Sequence, residues 1–107
     1  MKTLVRVCST TEVPNGEARR FQLDGRLVAV ANCGEQGFYA VDAICSHAQY
    51  FLDEGEVDPD LLTIECPKHG STFDLETGRP RTLPATAPVG AYPVKINGED
   101  VSIEVDG

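Results

Sequence analysis

Cys45-Ser46-His47 and, after a gap of eighteen residues, Cys66-Pro67-Lys68-His69 are the residues whose types and spacing suit chemistry. Each half sets a thiol beside an imidazole, at a spacing that lets both point the same way from one tight loop. Pro67 stiffens the second loop, and Gly70 frees the backbone beside His69 to turn. The chain has only two histidines, and each lies within three residues of a cysteine. Chance rarely produces that twice. Two thiolates and two imidazoles suit tetrahedral zinc, mononuclear iron or a mixed-ligand iron–sulfur cluster. Zinc fingers and ribbons usually pair like ligands, as C-x-x-C or H-x(3–5)-H, whereas each half here mixes the two. A binuclear cluster fits that mixing, because two loops can each supply one Cys to one iron and one His to the other. A zinc module is the competing reading. The plainest reading is two buried cysteines beside two unrelated surface histidines.

The elements that must position these residues read as β-structure. Lys2–Cys8 alternates apolar and polar residues and predicts an edge or opening strand. Pro14-Asn15-Gly16 is turn chemistry. Asp24-Gly25 between Arg20–Leu23 and Arg26–Ala31 predicts a hairpin. Gly34 and Gly37 bracket a further turn, and Phe38–Ile44 reads as a mostly buried strand. A last hairpin is expected over Tyr92–Ile96, Asn97-Gly98 and Val101–Val105, where alternate residues are apolar. Between these lies a loop-rich stretch with five of the seven prolines and short strands expected at Leu62–Glu65 and Thr72–Leu75. The expectation is one domain over residues 1–107, with a frame of about 1–44 and 89–107. A smaller subdomain of about 45–88 carries the ligands on loops held by that frame.

Composition narrows the partners. Acidic residues number 17 against 9 basic, a formal charge of −8, which disfavours nucleic acid and anionic membrane surfaces. A basic protein surface is the natural complement, and the run Asp53, Glu54, Glu56, Asp58, Asp60 is either a docking patch or a solvated loop. No apolar stretch approaches the roughly 20 residues that span a bilayer, and the N-terminus lacks an apolar secretory core. Cytoplasmic location is the expectation, with the cysteines reduced rather than paired as disulfides. Cys8 and Cys33 fall in or beside predicted strands and read as small buried hydrophobes. Arg79 and Arg81 flank the proline loop and read as solvated or partner-facing.

With these residues in view, the chain resembles the Rieske [2Fe–2S] ferredoxins, specifically the low-potential type that serves ring-hydroxylating dioxygenases. The paired motif C-x-H and C-x-x-H is matched by Cys45, His47, Cys66 and His69. Cys66-Pro67-Lys68-His69-Gly70-Ser71-Thr72-Phe73-Asp74 is similar to the family's second cluster-binding loop. Glu76-Thr77-Gly78 and Leu83-Pro84-Ala85 are similar to the turn and proline loop that cover the cluster. The resemblance implies an all-β antiparallel sandwich with a small loop-rich cluster-binding subdomain. It implies one [2Fe–2S] cluster held by Cys45, His47, Cys66 and His69, with Ser71 as a donor to the cluster.

High-potential relatives in respiratory complexes carry an extra cysteine in each loop, and these join as a disulfide. Tyr50 and Lys68 occupy those places here. Those relatives also have a tyrosine two residues after the loop serine, donating to a ligand sulfur, where this chain has Phe73. Donors to sulfur stabilise the reduced cluster, so their loss points to about −150 mV rather than about +300 mV. Exposed imidazoles are expected to titrate, so that the midpoint potential falls at alkaline pH.

The implied activity is one-electron transfer rather than catalysis, by a monomer. Electrons would come from a flavin-dependent reductase and pass to a terminal oxygenase or a similar reductase. The competing assignments are a fixed Rieske-like subunit of a larger enzyme, such as a nitrite reductase, and a redox or cluster-assembly accessory protein.

Overall fold

The computed structural model describes residues 2–23, 25–46, 50–67, 70–82 and 87–106. Among the described residues ten strands follow one another: β1 (Lys2–Ser9), β2 (Ala18–Leu23), β3 (Arg26–Asn32), β4 (Phe38–Asp42), β5 (Val57–Asp58), β6 (Thr63–Glu65), β7 (Thr72–Asp74), β8 (Ala91–Tyr92), β9 (Val94–Asn97) and β10 (Asp100–Asp106). Every pairing is antiparallel, and no α-helix occurs among the described residues. The strands form three sheets, ordered β1-β10-β9, β2-β3-β4-β8 and β5-β6-β7. The expected all-β sandwich is therefore present.

The central strand β3 explains how the sheets stack. Val28, Ala29, Val30 and Ala31 are all fully buried, so both faces of this strand are covered. Successive side chains point to opposite faces. Val28 and Val30 join Cys8, Val13, Ala40, Val101 and Ile103 in one apolar cluster, against the β1-β10-β9 sheet. Ala29 and Ala31 join Val41, Ala43, Cys45, Leu52, Ile64, Cys66 and Phe73 in the other. The small alanines thus face the side that holds Cys45 and Cys66, while the valines face the opposite sheet.

Local chemistry accounts for the joints. Leu23 pairs with Arg26, which leaves a two-residue turn ending at Gly25, with φ 77°. Asp24 lies outside the described residues. The predicted closing hairpin is present but its first arm is broken at Pro93, which has no N–H to donate. Residues before the break pair with β4 and residues after it with β10, so one segment crosses from sheet to sheet. The hairpin turn itself is Gly98-Glu99, one residue later than expected, because Asn97 pairs with Asp100. The strand expected over Phe38–Ile44 ends at Asp42. Beyond it Ala43 donates its N–H to Leu27 O at 3.1 Å, and Ile44 emerges 46% exposed. The strand expected from Leu62 begins at Thr63, because Leu62 takes a left-handed φ of 56°. Strand β5, which periodicity did not indicate, turns the stretch 57–65 into a short hairpin.

Candidate metal centre

Two loops of equal span present the cysteines. In the first, β4 gives way to Ala43 and Ile44, and Ile44 bridges to Phe51. The Cys45 N–H donates to Tyr50 O at 2.9 Å, and the Leu52 N–H donates to Ala43 O at 2.7 Å. In the second, the β6–β7 hairpin pairs Glu65 with Thr72, and the Cys66 N–H donates to Ser71 O at 2.7 Å. Each cysteine thus opens a loop that its own N–H closes onto the carbonyl five residues on. Gly70, with φ 74°, donates its N–H back to Cys66 O at 3.1 Å and supplies the turn the motif called for. His47 and His69 lie outside the described residues, as does Lys68.

Both thiols are buried, Cys45 at 4% exposure and Cys66 at 0%, and both belong to the cluster that contains Leu52, Ile64, Phe73, Leu75 and Val89. All four cysteines of the chain are free of disulfides. Ser71 is fully buried at the end of the second loop, and Phe73 is fully buried two residues further on. Around the first loop the apolar side chains of Ile44 and Tyr50 are exposed, at 46% and 40%.

A third segment is tied across both loops by pins that no motif in the chain marks. The Arg81 N–H donates to Thr72 O at 2.6 Å, and Thr82 Oγ1 accepts from the Thr72 N–H at 2.8 Å. The Ser46 hydroxyl donates to Ala87 O at 2.5 Å. The residues between, including Leu83-Pro84-Ala85, lie outside the described residues. Downstream, the Val89 N–H donates to Gly78 O at 2.9 Å. A Cβ on Gly78 would sit 2.0 Å from Val89 O, and Gly78 has φ 77°, so only glycine fits this crossing. Asp42 then anchors the exit, accepting from the Gly90 N–H at 2.7 Å and from the Tyr92 hydroxyl. The pins at Ser46 and Asp42 join residues 41 to 50 positions apart, which no short motif encodes.

The remaining sequence candidates separate. Asp58 turns inward to its own hairpin, accepting from the Asp60 and Leu61 N–H groups at 3.0 Å, while Glu54 stays exposed. Asp53 is mostly enclosed, with 11% of its side chain exposed. The acidic run is therefore not one uniform patch. Arg81 pairs with Asp74 at 3.2 Å, and Arg79 is exposed. Cys8 and Cys33 are at 1% and 2% exposure, and burial pushes each thiol up to about 11. They behave as the buried hydrophobes their strand context predicted.

The described donors fit the thiolate part of an iron–sulfur site. Two disulfide-free thiols, each at the head of an equal loop and each set in the same apolar cluster, would supply soft ligands in apolar surroundings. A comparison with known proteins agrees. The family model of the Rieske [2Fe–2S] domain matches residues 3–93. The 3-phenylpropionate/cinnamic acid dioxygenase ferredoxin subunit of Escherichia coli (strain K12) is 39% identical over 101 residues, covering 94% of this chain and 92% of that protein. Among solved structures, the ferredoxin of carbazole 1,9a-dioxygenase from Nocardioides aromaticivorans IC177 superposes with a TM-score of 0.87 at 38% identity, covering 94% of this chain and 96% of that one. A complex of reduced oxygenase and oxidized ferredoxin in carbazole 1,9a-dioxygenase aligns with a TM-score of 0.82 at 35% identity, covering 94% and 91%. The cofactor is accordingly one Rieske-type [2Fe–2S] cluster, and the chain is an electron-transfer component rather than a catalyst. With residues 3–93 of its 107 matched, the chain belongs to the Rieske [2Fe–2S] domain family.

Proposed function

We propose that Cys45 and Cys66 as thiolates, with His47 and His69 as neutral imidazoles, hold the cluster, and that the chain carries single electrons from a flavin-dependent reductase to a terminal oxygenase. The observation that supports the ligand set is the matched pair of loops, closed by Cys45 N–H to Tyr50 O and by Cys66 N–H to Ser71 O. The bound cluster supplies a site that accepts and returns one electron. The protein's part is to hold the two loops at a fixed separation and to keep the thiols in apolar surroundings. Ser71, buried where the second loop closes, is the candidate hydroxyl donor to the cluster. Residues of about 45–88 act as the cluster-bearing unit, and about 1–44 with 89–107 act as its frame. The oxygenase assignment draws on the relatives, one of which is a ferredoxin in complex with its oxygenase. The carrier works as a monomer in the cytoplasm.

The test is low-temperature EPR of the dithionite-reduced protein with iron and zinc counted on the same sample. Two irons per chain and a rhombic signal with an average g of about 1.9 are expected for mixed imidazole–thiolate ligation. Replacement of His47 or His69 by Cys should retain colour but shift the signal toward an all-thiolate type. One zinc per chain and no signal after anaerobic purification would overturn the reading. Gel filtration with a flavin reductase and an oxygenase then separates a shuttle, which elutes alone, from a fixed subunit.

A further inference from the structure

The two ligand loops are closed unequally. The Cys66 loop extends a hairpin with three paired positions, Thr63–Asp74, Ile64–Phe73 and Glu65–Thr72. At the Cys45 loop the described pairing is the Ile44–Phe51 bridge with the Cys45 N–H to Tyr50 O and Leu52 N–H to Ala43 O bonds, after which the chain turns through Leu52–Glu54. Leu52 packs that turn into the core with Ala29 and Ala31 of β3, and Arg20 of β2 bears on its other residues. Arg20 stands on β2 opposite Ala29, and its guanidinium carbon lies 3.6 Å from the centroid of the Phe51 ring. Arg20 Nε is 4.0 Å from Asp53 Oδ1, and Nη1 is 4.0 Å from Glu54 Oε2.

These contacts differ in weight. Glu54 has 55% of its side chain exposed, so its pair with Arg20 contributes little. Asp53 is 11% exposed, and its Oδ1 is enclosed with no hydrogen-bond partner among the described residues. A carboxylate oxygen in that state is costly unless a cation faces it. Burial pushes the Asp53 carboxyl up, and the Arg20 charge pulls it back. A guanidinium stacked on an aromatic face is held by the ring's negative face, and more strongly when shielded from water. Arg20 therefore serves both the ring that closes the loop and the acid that follows it.

We infer that Arg20 is a positioning residue for the first ligand loop: stacked on Phe51 and facing the enclosed Asp53, it clamps the arm Phe51–Glu54 to the frame and fixes where Cys45 is presented. The inference rests on the reading of Cys45 as a ligand, but the clamp itself is visible without the cluster.

The experiment is hydrogen–deuterium exchange by mass spectrometry on wild type, Arg20→Lys, Arg20→Met and Arg20→Met/Asp53→Asn, with iron counted on each sample. Overlapping peptides report the Cys45 and Leu52 amides, whose bonds to Tyr50 O and Ala43 O close the first loop. The Cys66 amide and those of β3 serve as references. Arg20→Met should speed exchange at Cys45 and Leu52 by about five- to tenfold and leave the references unchanged. Arg20→Lys should fall between, keeping the charge without the planar stack. Adding Asp53→Asn to Arg20→Met should slow exchange again, because no enclosed charge is then left uncompensated. In the reduced protein, the Arg20→Met EPR signal should broaden relative to wild type. Unchanged exchange in Arg20→Met, or equal acceleration in both loops and β3, overturns the clamp. Failure of Asp53→Asn to restore protection overturns its electrostatic half. Wild type without iron would overturn the ligand assignment, while the exchange pattern would still decide the clamp.

Discussion

Phe73 stands where a hydroxyl on the ring would face a ligand sulfur in high-potential relatives, and here it is wholly buried in the cluster that contains Cys45 and Cys66. Its ring adds apolar surface and no donor. Phe73→Tyr should therefore raise the midpoint potential, on the order of tens of millivolts, in protein-film voltammetry. An unchanged potential with an intact EPR signal would show that the new hydroxyl finds no sulfur. At this scale the cysteines were legible because thiols paired with imidazoles at short spacing are rare by chance. Arg20, Ser46 and Thr82 were not. Their types are common on surfaces, and only the fold brings Arg20 to Phe51 or Ser46 to Ala87.

The hairpins were legible at the scale of elements, since Asp-Gly and Asn-Gly mark turns by backbone chemistry alone. The break at Pro93 and the left-handed Leu62 shifted their bounds for equally local reasons that periodicity does not weigh. What the pattern could not reveal is how closely elements cross. Gly55 ends the arm that leaves the first loop, and a Cβ there would lie 1.6 Å from Glu65 O, in the residue before Cys66. The crossing is tight because the next residue, Glu56, accepts the Glu65 N–H at 2.8 Å. Gly55→Ala must push β6 away from that arm, and Cys66 moves with it. We expect a loss of more than about 2 kcal/mol in urea unfolding, together with a lower iron content per chain. Normal iron content in a destabilised variant would confine the effect to packing.

For the whole molecule, two buried thiols and two half-buried phenols share one direction. Burial pushes the Cys8 and Cys33 thiols each up to about 11. Tyr39 and Tyr92 are also raised, by burial first, then by the Glu76 charge for Tyr39 and the hydrogen bond with Asp42 for Tyr92. Each group holds its proton more tightly folded than unfolded, so the folded chain binds more protons than the unfolded chain at alkaline pH. Stability from these groups is fully present below the unfolded thiol value, about 8.5, and is lost as pH rises toward 11. A formal charge of −8 at neutrality adds self-repulsion as lysines discharge, and that background is common to any variant. The thiol part is isolated by comparing slopes rather than levels. Cys8→Ala/Cys33→Ala opens small cavities and should be less stable at pH 8. Between about pH 8.5 and about pH 10.5, its unfolding free energy from urea titrations should fall less steeply than wild type, by about 2 kcal/mol per thiol over the interval. Parallel slopes would show that both thiols ionise as freely in the folded chain as in the unfolded one, despite exposures of 1% and 2%.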